Sequence, residues 1–360
     1  MMKVSGKDGL ICGLLVDELT ILAAPVRWIR RNNIKCQEDP LETFFSNYER
    51  VDTIDKLTSS GKIFIDPHVP FLYGIHPSEK VSKMPPYQTG KIIIQDRASC
   101  FPATILNPKP GDILVDACSA PGNKTTHLAS FVQNTKNSIT AFERDPKRAE
   151  ILKKMVAMAG AGSCVKIKVG DFTECDPSSS ELKDVTGLVV DPSCSGSGIF
   201  GRGFEEENNK EKDEQADKFR LHKLSNFQFK IVSHAMSFPS AKTVVYSTCS
   251  IHAEENEQVV RKLLEDPDIR ARGWTLRRKH GVLPNWHRRG WPAEFEGMDS
   301  AEELAEGCVR ALPKEDGGIG FFAACFDRVT TDGHSIGDPV EINGPSTQGE
   351  EDDEEWTGFD

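Results

Sequence analysis

Two cysteines in this sequence stand in loops of small polar residues, Asp191-Pro-Ser-Cys194-Ser-Gly-Ser-Gly198 and Tyr246-Ser-Thr-Cys249-Ser-Ile251. A cysteine in an average protein is a small buried hydrophobe, so two thiols set among Ser, Gly and Pro point to reactivity instead. The thiolate is the reactive form, and a free thiol ionises at about pH 8.5. Cys249 therefore requires a cation or a helix N-terminus beside it, and Lys124 and a helix opening near Ile251 are the candidates. Beside a methyl donor, a thiolate serves methylation of a carbon that is not nucleophilic by itself, such as carbon 5 of a cytosine. Addition at carbon 6 makes carbon 5 electron-rich, and later removal of the carbon 5 proton expels the sulfur. Asp191 can hold such a base through its exocyclic amine or a protonated ring nitrogen. The base must leave its stack to be reached. Spacing alone leaves open which thiol attacks.

A second group of residues suits a nucleoside-bearing cofactor. Asp116-Ala-Cys118-Ser119-Ala120-Pro121-Gly122-Asn123-Lys124-Thr125 follows an apolar run and precedes a helical one. Its small residues let backbone approach a ligand at a sheet edge. The run is neither the G-x-G-x-x-G of a dinucleotide fold nor a phosphate loop ending in G-K-[ST]. Glu143, in Phe142-Glu143-Arg144-Asp145, stands where a carboxylate accepts the hydroxyls of an adenosine ribose, and Asp171, in Gly170-Asp171-Phe172, can accept from an adenine amine. One such acid alone is more often a loop cap, but their recurrence at successive strand ends favours a ligand.

These loops meet only if a parallel sheet carries them. From about Gly111, short β-branched runs alternate with helix-length segments, the pattern of a doubly wound α/β sheet. Strands are predicted at Ile113 to Ala117, Ser138 to Phe142, Val165 to Val169, Gly187 to Asp191, Thr243 to Ser247 and Gly320 to Phe326. Helices are predicted at Lys124 to Val132, Pro146 to Ala159, Lys218 to Ser237 and Glu254 to Glu265, the third with a core stripe of Leu224, Phe227, Ile231 and Ala235. The charged stretch Gly201 to Asp217 reads as an exposed loop or a lid. The first ninety residues, with a basic strand-like stretch from Val26 to Lys35 and a Pro-punctuated segment from Asp66 to Tyr87, are expected to form a small α+β domain. The catalytic domain would span 91–330, and an acidic disordered tail 331–360.

Composition narrows the class. The apolar runs fall short of a membrane span and the N-terminus lacks a secretory pattern, so a soluble intracellular protein is expected. Ten cysteines without C-x-x-C pairs predict reduced, mostly buried thiols and no metal site. The net charge of −11 argues against a nucleic-acid partner, but seven acids crowd into Glu350 to Asp360, leaving 48 acids against 44 bases elsewhere. Ile269 to Pro292 holds seven Lys or Arg, no acid, and Trp274, Trp286 and Trp291. Such a segment either stacks on bases beside phosphates or is a solvated surface with buried tryptophan anchors.

Together Gln95-Asp-Arg-Ala-Ser-Cys100, the Ser-Ala-Pro-Gly-Asn-Lys loop, Asp-Pro-Ser-Cys-Ser-Gly and Ser-Thr-Cys-Ser resemble the Sun-domain (Fmu-like) RNA 5-methylcytosine methyltransferases, over roughly Pro25 to Asp327. The resemblance implies a Rossmann-like class I S-adenosylmethionine-dependent methyltransferase sheet with a small N-terminal α+β domain that helps grip RNA. It implies that Cys118, Ser119, Ala120, Pro121, Gly122, Asn123, Lys124, Glu143, Arg148, Asp171 and Asp191 contact S-adenosylmethionine or the reacting base. It also implies that Cys249 attacks and Cys194 assists release. Asn123 and Ser193 look most like the eukaryotic branch acting on large-subunit ribosomal RNA, which implies a monomer working in the nucleus, in the nucleolus. That branch carries a longer helical N-terminal region, which this chain is expected to lack. An amine methyltransferase would carry Pro and an aromatic where Ser193 and Cys194 stand, and a ribosome-assembly factor with secondary catalysis would not need both thiols and Asp191 intact.

Overall fold

The computed structural model describes residues 26–199 and 214–329. The expected acidic tail, most of the charged stretch after Gly201 and the first 25 residues lie outside the described residues. The end of that stretch, from Glu214, begins a helix, Glu214–Ala235.

The N-terminal part is a five-stranded sheet of β1 (Arg27–Arg31), β2 (Glu49–Val51), β3 (Lys62–Ile65), β4 (Leu72–Ile75) and β5 (Ile92–Ile94), in the order β2-β3-β4-β1-β5. Its last strand runs past residue 90, a few residues beyond the expected boundary. Strand alternation splits β1 into two faces. Ile29 enters the small sheet's own core with Leu41, Phe45 and Tyr73, whereas Trp28 and Arg30 turn the other way, into the rest of the molecule. Trp28 Nε1 donates to Gly317 O (2.7 Å). The buried Arg30 donates to Gln95 Oε1 (2.8 Å), Thr126 Oγ1 (3.3 Å) and Ser130 Oγ (3.3 Å). Part of the basic stretch that looked available to RNA is thus spent on docking one sheet to the next.

The second sheet holds β6 (Leu114–Asp116), β7 (Ile139–Glu143), β8 (Val165–Val169), β9 (Gly187–Val190), β10 (Thr243–Thr248), β11 (Trp274–Leu276), β12 (Cys308–Ala311) and β13 (Phe321–Arg328). Its order is β11-β13-β10-β9-β6-β7-β8, with β12 also on β13. Strands β6 to β10 are parallel and β13 is antiparallel to β10. All six predicted strands are present, Val165–Val169 with the predicted ends and the others displaced by one or two residues. The chain runs outward from β6 to β8, then returns to β9 on the other side, so the order reverses between β6 and β9. Ligands bind at such a reversal, outside the carboxyl ends of the strands.

Both faces of the sheet are covered. Leu114, Val189, Val245 and Ala323 pack on one side with Leu128, Leu152 and Val156. On the other, Leu188, Val190, Tyr246 and Phe322 pack with Ile231, Val232, Val260 and Leu263. In the helix Glu214–Ala235 the expected stripe is rotated by about one residue. Ile231 and Ala235 are buried, Leu224 and Phe227 lie at its edge, and Ser225, Gln228 and Val232 complete the buried line. The predicted helix from Glu254 is a short turn, Ala253–Glu255, followed by the helix Glu257–Glu265.

Candidate active site

The loop after β6 turns sharply into the helix Asn123–Phe131. Ser119 N donates to Phe142 O (2.9 Å) and its hydroxyl to Asp116 O (2.9 Å), which folds the loop back on β6 and β7. Gly122 takes φ +116°, a region closed to side chains, and a Cβ there would press on Leu152 and Met155 at 3.0–3.1 Å. Asp116 is buried and accepts from Thr125 Oγ1 (2.6 Å). Burial pushes its carboxyl up to about 6. Burial also raises the Cys118 thiol above its ordinary value.

Arg148 does two jobs beside this loop. It donates to Ala120 O (2.8 Å) and lies 3.5 Å from Glu143 Oε2, bracing loop and acid together. Glu143 Oε1 accepts from Asp145 N (2.9 Å). Asp171 Oδ1 accepts from Thr173 N and Oγ1 (both 2.9 Å), so half of this carboxylate is a cap, and Oδ2 lies 3.8 Å from Arg144. Burial works to raise the Asp171 carboxyl, but the Thr173 hydrogen bonds and Arg144 outweigh it and hold it below the ordinary value.

Lys124, two residues past Gly122, reaches across to Asp191 Oδ2 (2.8 Å) after β9. Asp191 Oδ1 accepts from Ser247 Oγ (2.7 Å) of β10. Burial pulls the Lys124 ammonium down, but Asp191, Cys249 and Asp116 together outweigh it, so its pKa lies above the ordinary value. The aromatic ring of Phe321 lies beneath the ammonium at 5.5 Å.

The two thiols, 55 residues apart in sequence, meet here, with Cys194 Sγ and Cys249 Sγ 3.0 Å apart and both half-buried. The hydrogen bond with Cys249 and then burial hold the Cys194 thiol far above its ordinary range. Their loops are locked by a hydroxyl cluster of Ser195, Ser197 and Ser250 and by backbone contact. Gly198 N donates to Cys249 O (3.0 Å), and Gly320 N donates to Gly198 O (2.8 Å).

Among the residues that sequence reasoning missed, Glu255 accepts from Ser195 N, Gln228 binds Ser193 O, and Phe321 lies under Lys124. A polar Gln in the buried register of its helix was the one available signal. The tryptophans of the basic segment divide. Trp274 and Trp286 are core anchors that donate to Met236 O (2.9 Å) and Arg310 O (2.7 Å), which removes them as stacking platforms. Trp291 is exposed, with the Arg310 guanidinium 3.6 Å from its ring centroid. Arg277 is likewise spent on a bidentate pair with Asp327 (2.6 and 2.7 Å).

Curated relatives share most of this chain. The 25S rRNA (cytosine-C(5))-methyltransferase rcm1 of Schizosaccharomyces pombe is 44% identical over 318 residues, 87% of this chain and 66% of that protein. The 28S rRNA (cytosine-C(5))-methyltransferase of Mus musculus is 38% identical over 309 residues, 84% of this chain and 62% of that protein. The chain spans about half to two thirds of the length of the first curated relatives it matches. A crystal structure of a methyltransferase homologue from Pyrococcus horikoshii shares the fold, with a TM-score of 0.64 at 22% identity, covering 86% of this chain and 89% of that one. The model of the family described as 16S rRNA methyltransferase RsmB/F matches residues 103–327, the stretch that carries the loop after β6, Asp191 and both thiols. With that stretch accounted for by one family model and its loops converging on one sheet edge, the chain belongs to the RsmB/F family of rRNA methyltransferases.

Proposed function

We propose that this chain methylates carbon 5 of a cytosine in RNA, through a covalent cysteine adduct, with large-subunit ribosomal RNA as substrate. The observation that carries the reading is the pair of thiols 3.0 Å apart beside the Lys124–Asp191 ion pair, at the sheet reversal. The family description names 16S rRNA, but the relatives at 38–44% identity are named for 25S and 28S rRNA, which favours the large subunit. A nucleolar site of action follows from that substrate.

The residues present fit S-adenosylmethionine. Asn123 Oδ1 and Asp116 Oδ1 are buried with no hydrogen-bond partner among the described residues, which leaves acceptors at the loop. Glu143 Oε2 and Asp171 Oδ2, at the next two strand ends, lie 3.5 and 3.8 Å from Arg148 and Arg144 and keep acceptor capacity for ribose hydroxyls and an adenine amine. When bound, the cofactor supplies the methyl group. Cys118 to Lys124 would line it.

The chain's own residues handle the base. Cys249, coupled electrostatically to Lys124, adds its sulfur to carbon 6, which makes carbon 5 nucleophilic. Asp191, held by Lys124 and Ser247, accepts from the exocyclic amine and steadies the charge that develops on the ring. After carbon 5 has taken the methyl group, its proton passes to water, the ring double bond re-forms, and the bond from carbon 6 to Cys249 breaks with its electrons on sulfur. Cys194, a thiol 3.0 Å away, donates a hydrogen bond to that departing sulfur. The small N-terminal sheet, from Arg27 to Ile94, would help grip RNA beside the catalytic part that follows it.

The test is a pair of variants and a map. Cys249→Ala is expected to abolish methyl transfer, and Cys194→Ala to trap an RNA adduct that runs as a slow band on a denaturing gel. Bisulfite mapping of cellular RNA with and without the gene is expected to lose one cytosine signal in large-subunit rRNA. Activity retained by Cys249→Ala would refute the nucleophile, and an unchanged rRNA map would refute the substrate.

A further inference from the structure

Two thiols in contact must be told apart if one is to attack and the other to assist, and the groups around them differ. Lys124 lies toward Cys249, whereas the titratable groups that face Cys194 are Cys249, Glu255, Asp191 and the Tyr246 hydroxyl. Glu255 has no part in the chemistry described above. It is fully buried in the turn Ala253–Glu255, which the Tyr246 hydroxyl fastens by donating to the Glu255 backbone carbonyl. Its Oε1 accepts from Ser195 N (2.9 Å) and from Gln228 Nε2 (2.9 Å), and the same Gln228 amide donates to Ser193 O (3.2 Å). The backbone is therefore gripped on both sides of Cys194. The second oxygen, Oε2, is buried with no hydrogen-bond partner among the described residues. A carboxylate so placed is expensive to bury and projects its field onto its neighbours.

We propose that Glu255 is a positioning residue that fixes the division of labour between the two cysteines. It clamps the Cys194 loop through Ser193 and Ser195 and holds negative charge behind it, so that Cys194 stays a protonated donor while Cys249 attacks. This rests on the covalent reading of the site given above. The contact with Cys249 and burial do most to raise the Cys194 thiol, and the charge of Glu255 acts in the same direction.

Glu255→Gln separates charge from geometry, because the amide oxygen still accepts from Ser195 N and Gln228. The assay is iodoacetamide labelling across pH with each cysteine peptide quantified by mass spectrometry, beside adduct formation on RNA. In the unaltered protein Cys249 is expected to label at lower pH than Cys194. In Glu255→Gln Cys194 is expected to label about ten-fold faster than wild type at a fixed alkaline pH, the change in thiolate fraction that a fall of about one pH unit produces. A Cys194 labelling rate equal to wild type in Glu255→Gln, while Cys249→Ala is inactive and Cys194→Ala traps adduct, would sink this proposal and leave the covalent reading standing. Methyl transfer by Cys249→Ala would sink both. Should Glu255→Gln not fold, the unaltered protein still decides: Cys194 labelling at or below the pH of Cys249 overturns the proposal.

Discussion

Replacing Gly198 with alanine drives the Cys194 loop against the backbone of Gly320 without touching either thiol. The added Cβ would lie 2.3 Å from Gly320 O, 2.6 Å from its carbonyl carbon and 2.8 Å from its Cα. Contacts of that kind relax to at least about 3.0–3.4 Å, so one backbone must retreat by ~0.7–1 Å. No flexible side chain is available to absorb it, since the opposing atoms are backbone. Gly198 N also donates to Cys249 O, so the retreat pulls on the Cys249 loop as well. Overpacking costs about 1–3 kcal/mol, which in a domain of this size lowers the melting temperature by roughly 2–4 °C per kcal/mol. A shift of ~1 Å between reacting groups costs on the order of 10²-fold in rate. Gly198 is not among the positive-φ glycines, so the effect reports the close approach and not backbone strain. Thermal unfolding and single-turnover release of methylated RNA, with saturating RNA and cofactor, read the two quantities separately. A Gly198→Ala protein that releases methylated RNA at the wild-type rate, whatever its melting temperature, refutes the argument that this backbone contact sets the spacing of the thiols.

Two further perturbations test the frame around the site. Arg310 and Glu257 form a fully buried ion pair (2.5 Å), so Arg310→Met leaves a carboxylate unpaired and is expected to cost about 3–5 kcal/mol by urea unfolding. The double variant with Glu257→Gln should recover most of it, and a single variant as stable as wild type would contradict the pairing. Asp96 and Asp116 are both pushed up to about 6 by burial, above the ~3.9 of an unfolded aspartate. The folded chain then holds more protons than the unfolded one between about pH 4 and 6, so their contribution to stability falls as pH rises through that window. Asp116→Asn keeps an acceptor for Thr125 and removes one share of that slope. Unfolding at the two ends of the window should show a smaller loss in the variant, and equal slopes would rule out the raised carboxyl.

What the sequence revealed, and what it hid, follows from which interactions are local. The strands of the second sheet were legible because Val165 to Val169 or Thr243 to Thr248 are β-branched runs bounded by turn residues, and Pro146 to Ala159 because Asp145 caps it and Gly160 ends it. Glu143, Lys124, Asp191 and both cysteines were legible because strand ends in a parallel sheet share one edge. Burial of polar residues was not, because it depends on partners far away in sequence. Arg30 reads as a surface cation until Gln95, Thr126 and Ser130 close around it. Trp274 and Trp286 read equally as stacking platforms or as buried anchors until Met236 O and Arg310 O accept their indole protons and decide for anchors. Glu255 reads as one more acid at a helix start until Ser195 and Gln228 converge on it.

The order of the sheet accounts for the chemistry more directly than any single motif. Neighbouring strands lie about 4.8 Å apart, so in the sequence β10-β9-β6 the loop after β9 is within side-chain reach of both others. Asp191 uses that central place, bonded to Lys124 on the β6 side and to Ser247 on the β10 side. Cys194, three residues further on, meets Cys249 from β10, while the loop after β6 lies on the other side of Asp191. Had β9 lain outside β10, Asp191 would stand at the end of the trio and could not reach the β6 side and the β10 side at once. The two thiols are therefore brought together by topology, which treats them alike, while the charges around them differ, with Lys124 coupled to Cys249 and Glu255 behind Cys194. If the proposed roles hold, exchanging them would take a change in those flanking charges, and moving a cysteine by itself would not achieve it.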